Sequence, residues 1–213
     1  MDIHSDFEKI AARFQDKPPD DFKKMMMENP NKDVLELVNE LLKLHEQGDK
    51  SEEKIRKIDS ILQLDGRLGE HFFPWWSKGH TFLELGKFEE ALKCFDKAIE
   101  LGLDNYEVFC AKGVAFANLG KFEEAIMYYD KAIDLDTEKE FTSETWYNKG
   151  QIYLHLGQHE DAIKCYTKVT ELDPKHDYAW DNMGVMLIAL GKLEEAIECF
   201  DESIKANPTG EGW

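Results

Sequence analysis

Four cysteines, seven histidines and 44 carboxylates are the residues in this 213-residue chain that could hold a metal or attack a substrate. His155 and His159 stand four apart, the spacing at which two histidines of one helix share a metal ion. The break at Leu156-Gly157 lies between them, and His159 occupies a slot that Phe88, Phe122 and Leu193 hold elsewhere in the chain. Both histidines therefore read as turn or packing residues. Asp134, Asp136 and Glu138 open like a calcium loop, but Lys139 stands where glycine is needed and Thr145 where the closing glutamate belongs. Cys94, Cys165 and Cys199 recur at one place in three of the four units. Packed helices put such places roughly 8–10 Å apart, beyond the ~7 Å that a disulfide spans. Cys110 lies away from that series, and with no C-x2-C pair zinc is unsupported. Reduced, structural thiols are expected. There is no phosphate-cradling glycine loop, no HExxH and no nucleophile elbow. The expectation is a chain with no catalytic residues, no metal and no cofactor.

The elements that carry these residues repeat. From Trp146 to Pro174 a first helix bears Trp146, Gly150 and Tyr153, and Gly157 breaks it. A second helix follows with Ala162 and Tyr166. Aligned on the first-helix glycine, the units fall at Gly79, Gly113, Gly150 and Gly184, in steps of 34, 37 and 34. Four residues earlier stand Trp75, Phe109, Trp146 and Trp180; three later, Phe82, Phe116, Tyr153 and Leu187. The turn glycines are Gly86, Gly120, Gly157 and Gly191. Second helices carry Ala91, Ala125, Ala162 and Ala196, each followed four on by Phe95, Tyr129, Tyr166 or Phe200. Small residues sit where two helices must approach, and bulky ones where the gap must be filled.

This pattern resembles the tetratricopeptide repeat family, W-x2-L-G-x2-Y…A-x3-F…P at a period of 34. The resemblance covers roughly residues 72–208. It implies an all-α, right-handed superhelical solenoid of helix–turn–helix repeats, because one pair cannot bury its apolar face alone and stacking makes the core continuous. The expected repeats are 72–105, 106–142, 143–176 and 177–210, within a domain at 72–213. Three departures stand out. Lys78, Lys112 and Lys149 replace the leucine before the glycine, with Met183 in the last unit. Leu103 and Thr137 replace the closing proline that Pro174 and Pro208 supply. Three extra residues lengthen the loop at 137–142.

Upstream, residues 32–71 read as a worn repeat. Val34, Leu37, Val38, Leu41 and Leu44 make an apolar stripe, and SEEKIRKIDSILQL aligns with FEEALKCFDKAIEL, with Lys54 at the alanine's place and Ile58 at the aromatic's. Residues 1–31 form a helical arm outside the pattern, with Phe7, Ile10, Ala11 and Phe14 on one stripe and Met25, Met26 and Met27 in a cluster. Second helices begin with acids and carry lysines later, an order that suits the helix dipole and i,i+4 pairing on a solvated face.

A net charge of −18 argues against nucleic acid, whose phosphates select lysine and arginine, and against an anionic membrane surface. No signal peptide and no apolar run of the ~20 residues a bilayer needs is visible, so a cytoplasmic location is expected.

In tetratricopeptide proteins the first helices line a concave surface. The resemblance places there Phe73, Trp76, Ser77 and His80; Cys110, Ala111 and Val114; Tyr147, Asn148 and Gln151; and Tyr178, Asp181, Asn182 and Val185. Family members that grip a terminal carboxylate use lysine, arginine and asparagine on this surface. The matching places here keep Asn148 and Asn182 but no cation, which disfavours a carboxylate ligand. Asn148 and Asn182, one repeat apart, have the donors and acceptors to hold a peptide backbone, and Trp76, Tyr147 and Tyr178 offer rigid contact area. The expected function is a non-catalytic protein–protein interaction scaffold taking an apolar or basic segment of a partner. The alternative is self-assembly into a homo-oligomer through the N-terminal arm or the last repeat, whose outer face the sequence leaves without a polar capping helix.

Overall fold

The computed structural model describes residues 51–136 and 142–207, with Lys24, Asp33, Val34, Glu36, Leu37 and Glu40 as isolated positions before them. The arm at 1–31 (apart from Lys24), most of the first helix of the worn hairpin, the loop at 137–141 and the tail from Pro208 lie outside the described residues. Asp33, Val34, Glu36, Leu37 and Glu40 are helical, and Val34 is buried. The described residues contain nine α-helices and no strand. The chain divides into two compact units, 1–120 and 121–213.

In the first unit α1 (Ser51–Leu64) leads through a single 3-10 turn (Gly66–Glu70) to α2 (Phe72–Glu84), α3 (Phe88–Glu100) and α4 (Tyr106–Asn118). Each helix packs on the one before it. Helix α1 covers the segment aligned with FEEALKCFDKAIEL, with Ile58 and Ile61 buried in the places of Phe95 and Ala98. Lys54, where the other repeats carry alanine, is buried too and brings its Nζ within 3.9 Å of Glu84 Oε2.

The second unit holds α5 (Phe122–Leu135), α6 (Thr142–His155), α7 (His159–Leu172), α8 (Asp177–Ala189) and α9 (Leu193–Ala206), again packed in sequence order. Its core gathers Tyr147, Tyr166, Val169, Met183, Met186 and Leu187, with Trp146, Trp180 and Phe200 against the edge. Across the loop outside the description, Thr142 Oγ1 donates to Asp136 Oδ2 at 2.5 Å.

The small-to-bulky pairing read from the sequence is the contact that sets the helix spacing. A Cβ at Gly79 would stand 2.5 Å from the Phe95 ring, one at Gly150 2.8 Å from Tyr166, and one at Gly184 2.8 Å from Phe200. Only glycine lets these rings lie flat on the neighbouring backbone. The turn between helices is equally local. At Gly157 φ is +70°, a left-handed conformation that costs other L-residues about 1–2 kcal/mol. The chain there closes a helix-ending motif in which Gln158 N donates to Tyr153 O at 2.9 Å and Gly157 N to Leu154 O at 3.0 Å.

Second helices open without a side-chain cap, at Lys87, Lys121, Gln158 and Lys192. Acids in the first turn supply the favourable charge instead. Lys57 on α1 lies 4.0 Å from Glu53, four residues back, and Lys97–Glu100 at 2.9 Å, Lys168–Glu171 at 2.7 Å and Lys205–Glu202 at 2.6 Å pair three residues apart. Exposed as they are, such pairs are worth about 0–1 kcal/mol each. They make a solvated face.

The three lysines that replace the family leucine have a shared role. Lys112 Nζ donates to Asp96 Oδ1 at 2.5 Å, and Lys78 and Lys149 reach Asp59 and Asp130 in the same register. Each aspartate follows the aromatic, or Ile58 in its place, on the preceding second helix. Where Met183 takes the lysine's position, Thr167 takes the aspartate's; its hydroxyl donates to Ile163 O at 2.9 Å and lies 3.5 Å from the thioether.

Candidate functional site

In the first unit the expected groove residues are all buried: Phe73, Trp76, Ser77 and His80 on α2, and Cys110, Ala111 and Val114 on α4. Trp76 meets His80 edge-on with ring centres 4.2 Å apart, and both rings lie against Phe95 at 5.5 and 5.8 Å. Tyr106 OH donates to Cys110 Sγ at 3.6 Å within α4. In this structure these side chains pack against their own neighbours.

The second unit offers more open surface. Tyr147 and Asn148 are buried, Gln151, Asp181 and Asn182 half-buried, and Tyr178 and Val185 exposed at 44% and 50%. The Tyr147 hydroxyl is the meeting point. It accepts from Gln151 Nε2 at 2.7 Å within α6 and from Asn182 Nδ2 at 3.3 Å on α8. Its ring lies 4.7 Å from His176 and 5.7 Å from Tyr166. Each amide spends one N–H on Tyr147 and keeps its carbonyl oxygen as an acceptor. The amides brought together are thus Gln151 and Asn182; Asn148, also on α6, is more deeply placed. The signal for this was present in the sequence as Tyr147 and Gln151 four apart on one helix face, with Asn182 in register on the next first helix.

Other candidate chemistry does not converge. His155 packs on Phe122 at 4.9 Å, whereas His159 points its Nδ1 at Met186 Sδ, 3.0 Å away. Among the described residues no group of three or more histidines, cysteines or acids comes together to hold a metal. All four cysteines are buried free thiols. Burial pushes Cys94 up to about 11 and Cys165 up to about 12, the opposite of what an attacking thiolate needs. No described helix is long and apolar enough to cross a membrane.

Models of the tetratricopeptide repeat match residues 77–139, 143–176 and 177–209. The chain belongs to the tetratricopeptide repeat family. Its fold class is the all-α repeat architecture that the resemblance implied, and solved tetratricopeptide structures share it. The crystal structure of MamA protein is 22% identical with a TM-score of 0.71, covering 82% of this chain and 92% of that one. MamA from Desulfovibrio magneticus RS-1, residues 41 to the end, is 17% identical with a TM-score of 0.73, covering 86% and 99%. YrrB, described as a tetratricopeptide protein with an unusual peptide-binding site, is 25% identical with a TM-score of 0.67, covering 89% and 93%. No curated protein matches the sequence.

Proposed function

We propose that this chain is a non-catalytic protein–protein interaction scaffold whose first helices hold a segment of a partner protein. The observation that carries the reading is the Gln151–Tyr147–Asn182 seam flanked by exposed Tyr178 and Val185. Two amides with spare acceptors beside an aromatic and an aliphatic surface suit an extended peptide: the amides take its backbone N–H groups, and the exposed side chains take its apolar residues. Asp181, half-buried in the same strip, and the net charge of −18 favour a segment with basic residues. No lysine or arginine stands among the strip residues to grip a free carboxylate. The peptide-binding site of the similar YrrB supports the same class of function.

A randomised peptide array probed with the purified chain tests this. Wild type retains a family of apolar-basic peptides, and the Asn182→Ala/Val185→Asp variant, with an unchanged helical spectrum, loses them. Retention that is indifferent to those changes removes the groove from the mechanism.

A further inference from the structure

The outer face of α9 is laid out like the faces that, elsewhere in the chain, receive the first helix of the next repeat. Leu193, Ile197 and Ile204 fall on one stripe of this helix and are exposed at 56%, 61% and 64%. One repeat earlier the same places on α7 are His159, Ile163 and Thr170, and none of the three is exposed. Helix α8 accounts for the difference: it packs on α7, with Met186 on His159 and Met183 on Thr167.

The flank of the stripe carries a second signature. Asp201 follows Phe200 as Asp96 follows Phe95 and Asp130 follows Tyr129. Each of those aspartates, and Asp59 on α1, is paired with the lysine that precedes the glycine in the next first helix. Asp201 is exposed, and Lys205, whose field it shares, makes its ion pair with Glu202 instead. The face therefore has an apolar stripe and a carboxylate at the register of an inter-repeat junction.

We infer that the α9 face is a docking site for an amphipathic helix of a partner protein, one carrying bulky-x2-Lys-small-x2-aromatic in the register of this chain's own first helices. Its lysine pairs with Asp201, and the residue three positions after that lysine covers Leu193, as Met186 covers His159 on α7. Charge favours a foreign helix over a second copy. A second copy would bring another net charge of −18 to a helix whose exposed side carries Glu194, Glu195, Glu198 and Asp201. This site is separate from the groove and does not depend on it.

The probe is a labelled peptide of residues 142–155, held helical by a lactam between solvent-facing positions, titrated by fluorescence polarisation into the full chain. Wild type binds saturably. Ile197→Asp weakens binding at least tenfold, and Asp201→Lys weakens it several-fold. A peptide with Asp at the Lys149 position restores affinity to Asp201→Lys alone. Asn182→Ala, which tests the groove, leaves this binding unchanged. Absent binding, or binding indifferent to Ile197→Asp and to the charge exchange, overturns the assignment. So does a dimer in light scattering that Ile197→Asp converts to monomer, which gives the face to a second copy.

Discussion

Lys149 donates from α6 to Asp130 on α5, and its Nζ also lies 4.9 Å above the Trp146 ring. The pair is lopsided: the lysine side chain is 10% exposed and the aspartate 50%. Lys112–Asp96 and Lys78–Asp59 share this asymmetry. A buried ammonium needs its counter-charge far more than a half-solvated carboxylate does.

Asp130→Ala is therefore expected to destabilise by about 1–3 kcal/mol, since it strips a carboxylate from a buried charge. Lys149→Met is expected to cost under about 1 kcal/mol, because the carboxylate it leaves can hydrate. The double change Asp130→Thr/Lys149→Met copies the Thr167–Met183 junction and should match or exceed the wild type. Urea midpoints at constant m-value check all three.

Tyr166 is fully buried, and among the described residues nothing lies within hydrogen-bond reach of its hydroxyl. Phe95 and Phe200 hold the equivalent places. Tyr166→Phe should raise stability by about 1 kcal/mol, by removing a desolvated polar group. Gly150→Ala should lower it by about 1–3 kcal/mol, because the new methyl meets the immobile Tyr166 ring. Thermal melts of the two variants should move in opposite directions.

Cysteine titration sets an alkaline limit. Well below pH 9 Cys94 and Cys165 are protonated both folded and unfolded. From pH 9 up to the folded values of about 11 for Cys94 and about 12 for Cys165, the unfolded chain releases protons that the folded chain keeps. Stability is then lost as pH rises. The urea midpoint should fall steadily between pH 9 and 11, and Cys165→Ala should make that fall shallower. Iodoacetamide at pH 8 should spare all four thiols in buffer and label them in urea.

Tyr147→Phe removes the oxygen shared by Gln151 and Asn182 while keeping the ring against His176. Peptide affinity in the groove should drop roughly three- to tenfold, about one hydrogen bond's worth, with the melting temperature nearly unchanged. Isothermal titration with the best array peptide measures it.

Helices, turns and the glycine–aromatic contacts were legible because each depends on residues at fixed short spacings within one repeat. Gly150 and Tyr166 declare each other at sixteen residues' distance, four times over in similar form. The lysine departures were visible, but their partners were not, since a single repeat shows no reason for Asp130. Only the joint change to Met183 and Thr167 exposes the pairing. Groove residues were less legible still. The same first-helix register yields buried Phe73 and His80 on α2 and exposed Tyr178 and Val185 on α8. Exposure there depends on what each neighbour contributes, and a repeat consensus carries no such information.

The turn at Gly157 closes through bonds spanning five residues or fewer, and Lys192 N to Leu187 O and Lys87 N to Phe82 O repeat it. A hairpin so closed needs nothing from distant chain. Its loop-closure entropy is small, and its two helices can pair while later residues are still being synthesised. The glycine turns thus settle the bend of each hairpin locally, leaving to packing between hairpins only the burial of their apolar faces.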